Sequence, residues 1–138
     1  MPYPEMMVAP MRQELARAGF QELRDAAQVG QAMDAMEGTV LVAVNSVCGC
    51  AAGIFRPAVT MALQGEKQPD HKITVFAGQD LEATAEVRRH LVGYPPSSPS
   101  IALLKDGDVV FMLERFRIEG RSAPAVAGDL QAAFDEHC

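Results

Sequence analysis

Cys48-Gly49-Cys50 is the group of residues in this chain best equipped for chemistry. Two thiols one residue apart can close a small ring, so the pair can pass between dithiol and disulfide. The triplet falls where an apolar run, Val40-Leu41-Val42-Ala43-Val44, gives way to a helix-compatible stretch, Ala51-Ala52-Gly53-Ile54-Phe55-Arg56. A cysteine at such a strand-to-helix turn meets the unpaired N–H groups and the positive dipole end of the helix, and both favour thiolate over thiol. The thiolate is the nucleophile of thiol-disulfide exchange, so the spacing sets an attacking sulfur beside a resolving one. Gly49 supplies flexibility, because a Cys48–Cys50 disulfide ring holds one residue fewer than a Cys-x-x-Cys ring and a backbone without a Cβ bends most readily. Such a disulfide is expected to be strained and therefore oxidising. That suits removal of mixed disulfides or isomerisation better than reduction of stable disulfides.

The elements that must hold this turn follow from periodicity. Pro10 opens a helix with Met11, Leu15 and Ala18 on one face and Gly19 as its stop. Phe20-Gln21-Glu22-Leu23 alternates as a short edge strand, and Asp25 with Gln28 reads as an N-cap and a variant capping box. The helix that follows carries Val29, Met33 and Met36 on one face and ends at Gly38. Thr39 to Val47 is apolar nearly throughout, as buried parallel strands are. From Ala51 to about Leu63 the spacing of Ile54, Ala58, Met61 and Ala62 predicts a helix that Pro57 should kink and Gly65 closes. Ile73 to Ala77 reads as a third strand, and Asp80 as the cap of a helix carrying Leu81, Val87 and Leu91. A loop stiffened by Pro95 and Pro96 leads to a hairpin, Ser100–Lys105 and Val109–Leu113, turned at Asp106-Gly107. Ser122 caps a last helix with Pro124 in its first turn and Val126, Leu130 and Phe134 on one face. The order is αβαβαβαββα, with no internal repeat.

Composition narrows the setting. With 138 residues, 49% hydrophobic and 22% charged, the chain is expected to form a single domain with a real core. A net charge of −6 and a pI near 5.0 offer no basic footprint for nucleic acid. The longest apolar run is too short to span a bilayer, and Met1-Pro2-Tyr3-Pro4-Glu5 lacks the pattern of a signal peptide, so a cytoplasmic location is expected. Three cysteines do not make a disulfide scaffold, and in a reducing compartment a close pair is catalytic or metal-binding more often than a structural staple.

The succession of cysteines after a buried strand, a proline early in the next helix, a proline before the penultimate strand, a Lys-Asp-Gly hairpin and a terminal helix resembles thioredoxin. Within that superfamily Val44-Asn45-Ser46-Val47-Cys48-Gly49-Cys50-Ala51-Ala52-Gly53, Tyr94-Pro95-Pro96-Ser97-Ser98-Pro99-Ser100 and Ile118-Glu119-Gly120-Arg121 resemble the bacilliredoxins. The resemblance implies an α/β, thioredoxin-like three-layer sandwich with a central mixed sheet flanked by helices. It also implies an enzyme that removes bacillithiol, a small bacterial thiol, from protein mixed disulfides. Cys48 would attack, with free bacillithiol or Cys50 resolving the adduct. Pro99, after Ser98, would match the cis-proline of thioredoxin folds that faces the cysteines and leaves backbone free for substrate. The implied partners are S-bacillithiolated client proteins, with bacillithiol as co-substrate or a reductase for regeneration, and no other cofactor.

Other residues admit more than one reading. Arg56 is a steering cation for an anionic thiol or a solvated surface arginine; Asn45 and Ser46 bond around the turn or merely end a strand. His71 and His90 read as surface histidines, and Met33, Met36 and Met61 as core. Cys138 is a third thiol at a position prone to fraying. Cys48 and Cys50 with Cys138 or His137 would be a thiolate metal site, but one close pair falls short of the four ligands a closed site needs, and no metal is expected. Buried packing cysteines in a scaffold protein are the remaining alternative.

Overall fold

A central strand that is apolar on both of its faces explains the architecture. The computed structural model describes residues 2–138. Five strands, β1 (Gln21–Glu22), β2 (Thr39–Asn45), β3 (His71–Phe76), β4 (Ser100–Lys105) and β5 (Asp108–Leu113), form one sheet in the order β1-β3-β2-β4-β5. β1, β3 and β2 run parallel, while β4 is antiparallel to β2 and β5 to β4. All seven residues of β2 are buried. Leu41 and Ala43 point to one face, packed with Leu15, Phe55, Val59, Leu130 and Phe134; Val40, Val42 and Val44 point to the other, packed with Val29, Ala83 and Val87. Helices therefore cover both faces: α1 (Glu5–Arg17), α3 (Arg56–Ala62) and α5 (Ala123–His137) on the first, α2 (Ala26–Ala35) and α4 (Leu81–His90) on the second. A strand covered on both faces has no solvent side, which is why β2 reads as a continuous apolar run. The expected three-layer α/β sandwich is what the chain forms.

Several local signals act as expected. Asp25 accepts from the Gln28 amide at 2.8 Å while the Gln28 side chain accepts from the Arg24 amide at 2.8 Å, a capping box displaced by one residue. Ser122 caps α5 through the Ala125 amide at 3.2 Å. Asp106 and Gly107 take φ of 50° and 90°, the left-handed pair that a two-residue hairpin turn demands.

Other expectations need correction. The first helix starts at Glu5, not Pro10, which lies inside it. Its extra turn is anchored because Glu5 accepts from Arg12 Nε at 2.7 Å, and the single bond Pro10 forgoes lies on the outer face beside exposed Met6. Asp80 occupies the N-cap position of α4, but its side chain makes no cap. It accepts from Arg12 at 2.6 and 3.0 Å instead. Arg12 is 4% exposed, stacks on the Phe76 ring at 5.3 Å and also bonds Glu22 at 2.8 Å, so a charge on α1 joins β1, β3 and α4. The central strand stops at Asn45, two residues short of Val47. Pro57 does not kink an α-helix: residues Ala51–Phe55 form a π turn, closed by the Arg56 amide on the Ala51 carbonyl, and Pro57 then sits in the first turn of α3. A 3-10 turn at Arg115–Arg117 follows β5.

Candidate active site

The thiol turn begins where β2 ends, on a buried polar knot. Asn45, 1% exposed, donates from Nδ2 to the Met11 carbonyl at 3.2 Å and accepts at Oδ1 from the Ser46 amide at 2.9 Å and Arg56 Nη1 at 3.0 Å. Arg56 Nη1 also donates to the Ser46 carbonyl at 2.8 Å, and its Nε bonds the Glu14 carboxylate on α1. Asn45 and Ser46 therefore take the first of their two readings and bond around the turn. Arg56 takes neither of its own. At 3% exposed it is a brace beneath the turn, which burial decides and local sequence does not reveal.

Above this brace the two thiols meet. Cys48 Sγ and Cys50 Sγ are 2.8 Å apart, both half-buried and both reduced. Burial alone would raise the Cys48 pKa, but the hydrogen bond with Cys50, the Ser46 hydroxyl, the Ala51 amide and the charge of Arg115 together pull it below the ordinary thiol value. Cys50 moves the opposite way: burial, its bond to Cys48 and the repulsion of a Cys48 thiolate raise it, against a smaller opposing pull from Arg115. One sulfur is biased to the nucleophilic form and its neighbour to the protonated form. The amides of Ala51 and Ala52, the first of the π turn, both donate to the Cys48 carbonyl, at 3.1 and 3.2 Å. Gly49 is exposed, its φ is not left-handed, and a Cβ built on it meets nothing within 4 Å, so the dithiol form makes no use of its freedom.

Ser98 and Pro99 lie at the same end of the sheet. Val44 pairs with Ser100, so Pro99 comes beside Asn45 just as the thiol turn departs. The Ser98–Pro99 bond is cis. The residue that ties this loop to the thiols is Arg115, which the sequence did not single out. Its amide donates to Ser97 Oγ at 3.3 Å, its Nη1 to the Ser98 carbonyl at 3.3 Å and its Nε to Glu119 at 3.1 Å, and its charge acts on both sulfurs. The only signal available was its place between a hairpin strand and the Ile118-Glu119-Gly120-Arg121 segment.

The remaining candidates fall elsewhere. Cys138 is exposed at the end of α5. Lys67, in the loop after α3, donates to the Asp135 carbonyl at 3.2 Å, so His137 and Cys138 sit by the far end of α3 from the thiol pair. A helical run from Ala51 to Ala62 makes that separation roughly 15 Å or more. The metal-ligand set left open by the sequence is thus not brought together. Met33 and Met36 pack on the core as expected, whereas Met61 is 39% exposed and borders a groove of about 450 Å³ between α1 and α3. His90 stands 4.0 Å from Glu86 at the end of α4, and His71 opens β3.

Solved structures share this frame. A protein described as an oxidoreductase with a thioredoxin fold superposes with a TM-score of 0.59 at 13% identity, over 80% of this chain and 91% of that one. The thioredoxin of Malassezia sympodialis superposes with a TM-score of 0.54 at 15% identity, over 86% and 90%. A thioredoxin fold that carries a close thiol pair is the frame of a thiol-disulfide oxidoreductase. The disulphide isomerase family model matches residues 3–138. A bacilliredoxin of Geobacillus kaustophilus is 58% identical over 99% of this chain and 94% of its own length, and one of Salinibacter ruber is 53% identical over 100% and 82%. The chain belongs to the bacilliredoxin family.

Proposed function

We propose that this oxidoreductase removes bacillithiol from protein mixed disulfides, with Cys48 as nucleophile and Cys50 as resolving thiol. The observation that carries the reading is the opposed bias of two sulfurs 2.8 Å apart, Cys48 toward thiolate and Cys50 toward thiol. The Cys48 thiolate attacks the bacillithiol sulfur of a client mixed disulfide. The new bond joins Cys48 to bacillithiol, the old S–S bond breaks, and the client leaves as a thiolate that takes a proton from water. Either a bacillithiol thiolate attacks the adduct, releasing bacillithiol disulfide and restoring Cys48, or Cys50 loses its proton and attacks Cys48 Sγ, expelling bacillithiol and leaving a Cys48–Cys50 disulfide for a reductase. Gly49, Ser98 and Pro99 would shape the approach of the substrate. Bacillithiol serves as a co-substrate, and no further cofactor enters the scheme.

The cytoplasm is the compartment we infer, because a close thiol pair stays reduced there. No helix of the described residues is long and apolar enough to cross a membrane. The name of the matching family favours one second reading, weak disulfide isomerisation, which uses the same attack on a protein disulfide. The test is intact-mass spectrometry of the reduced protein mixed with a bacillithiolated client. Transfer of one bacillithiol to wild type and Cys50→Ala, with accumulation in the latter, and none to Cys48→Ala is the expected pattern. An untouched client beside wild-type protein that reshuffles scrambled disulfides would replace the first reading with the second.

A further inference from the structure

Two arginines serve the thiol turn: Arg56 is spent on Asn45 and the Ser46 carbonyl at its base, and Arg115, tied to the Ser97-Ser98 loop, puts its charge on both sulfurs. Arg115 is 45% exposed, and its guanidinium is held at one edge by Glu119 and the Ser98 carbonyl. A guanidinium carries five N–H donors. Those two bonds, at 3.1 and 3.3 Å, leave three donors without a partner among the described residues. The backbone below is fixed as well, since the Arg115 amide bonds Ser97 and the residue begins the 3-10 turn. A fork of donors pinned in place and half open to solvent suits a carboxylate, which it can grip through two parallel bonds. Between the two cysteines, a Cβ built on Gly49 would meet nothing within 4 Å, so the turn is open at that residue.

We propose that Arg115 is the specificity-determining residue of this site, gripping a carboxylate of a small acidic thiol while Cys48 attacks that thiol's sulfur. This rests on the reading of Cys48 as the nucleophile. The substrate class is a low-molecular-weight thiol that carries at least one carboxylate, presented as a disulfide. In the step itself a Cys48–sulfur bond forms, the substrate S–S bond breaks and the leaving sulfur departs as a thiolate. Arg115 takes no proton and gives none. A role confined to holding the Cys48 thiolate would speed attack on every disulfide alike, whereas a carboxylate grip favours acidic ones.

The test compares second-order rate constants of the reduced protein with three small symmetric disulfides at low salt: dithiodipropionate, neutral hydroxyethyl disulfide and cationic cystamine. The readout is the ratio of acidic to neutral rate, from which the thiolate fraction cancels. Wild type should prefer the acidic disulfide, and Arg115→Met should lower the ratio about fivefold, the upper end for one exposed charge pair. Arg115→Lys should restore part of it, Arg115→Glu should turn the preference toward cystamine, and Glu119→Gln, which removes the carboxylate that competes for the guanidinium, should raise the ratio. Equal factors for all three disulfides in Arg115→Met overturn the proposal. Because no probe contains bacillithiol, a failure to debacillithiolate clients leaves this result standing, and a wild type inert toward all three overturns the nucleophile reading along with it.

Discussion

Arg56 and Arg115 both serve the cysteine turn and have little else in common. Arg56 is 3% exposed and spends its bonds on Asn45, the Ser46 carbonyl and Glu14, so that α1, the end of β2 and the π turn share one charge. Arg115 is 45% exposed, bonds a loop carbonyl and one surface carboxylate, and leaves most of its donors unspent. A buried guanidinium with fixed acceptors holds geometry, because removing it strands the groups it served. An exposed one contributes little to stability and keeps its field for whatever approaches. The difference teaches that a turn built for thiol exchange separates support from reactivity, with the brace in the core and the active charge on the rim.

The comparison is broken most directly by removing each arginine. Arg56→Met should cost about 2 kcal/mol of unfolding free energy, since a charged hydrogen-bond network is lost from a buried site. Arg115→Met should change stability by less than about 0.5 kcal/mol, as exposed ion pairs do. Urea titration of both variants measures this, and equal losses would erase the distinction between brace and rim. A smaller effect sharpens the account of reactivity. Cys50→Ala removes the hydrogen bond that, after the opposing effect of burial, does most to lower Cys48, so the Cys48 titration followed by thiolate ultraviolet absorbance should move to higher pH. A titration that stays in place would pass the lowering to Ser46, Ala51 and Arg115.

The smallest expected effect lies at the other end of the sheet, away from the thiols. The Thr39 amide and hydroxyl bond Asp70 at 2.9 and 3.2 Å and hold its carboxyl below the ordinary 3.8. A carboxyl depressed by folding adds stability that is full above its unfolded pKa and is lost as pH falls through the folded one. The stability gap between wild type and Asp70→Asn should therefore be present at neutral pH and close below about pH 3.8, as thermal unfolding across an acid series will show. A gap that persisted in acid would assign it to packing.

Much of this was legible because it is local. The β2 run, the Asp106-Gly107 turn, the Ser122 cap and the Val126, Leu130, Phe134 stripe each specify their element within a few residues, and the cysteine pair names its own chemistry. What escaped was decided at a distance. Arg12 reaches Asp80 across 68 positions and draws it away from its cap; Arg56 reaches Glu14 across 42; Arg115 reaches Ser98 across 17. Each of these side chains has an exposed and a buried solution of similar local character, and only the packed sheet chooses between them. Pro57 belongs in the same group, for its signal was read as a kink when the chain had already widened into a π turn before it.

That π turn has a consequence for how the region tolerates change in length. A π turn holds one residue more than an α turn closing the same loop, so it takes up a residue without changing the angular phase between the cysteines and the buried face of α3. Deleting one residue from Ala51–Phe55 would leave an α turn closing the same loop, whereas deleting one inside α3 would rotate everything before it by about 100° and draw it in by about 1.5 Å. Cys48 and Cys50 would keep the rim in the first case and leave it in the second. Five small steps of backbone act here as slack counted in residues, and a deletion scan would read it as a tolerant stretch ahead of an intolerant one.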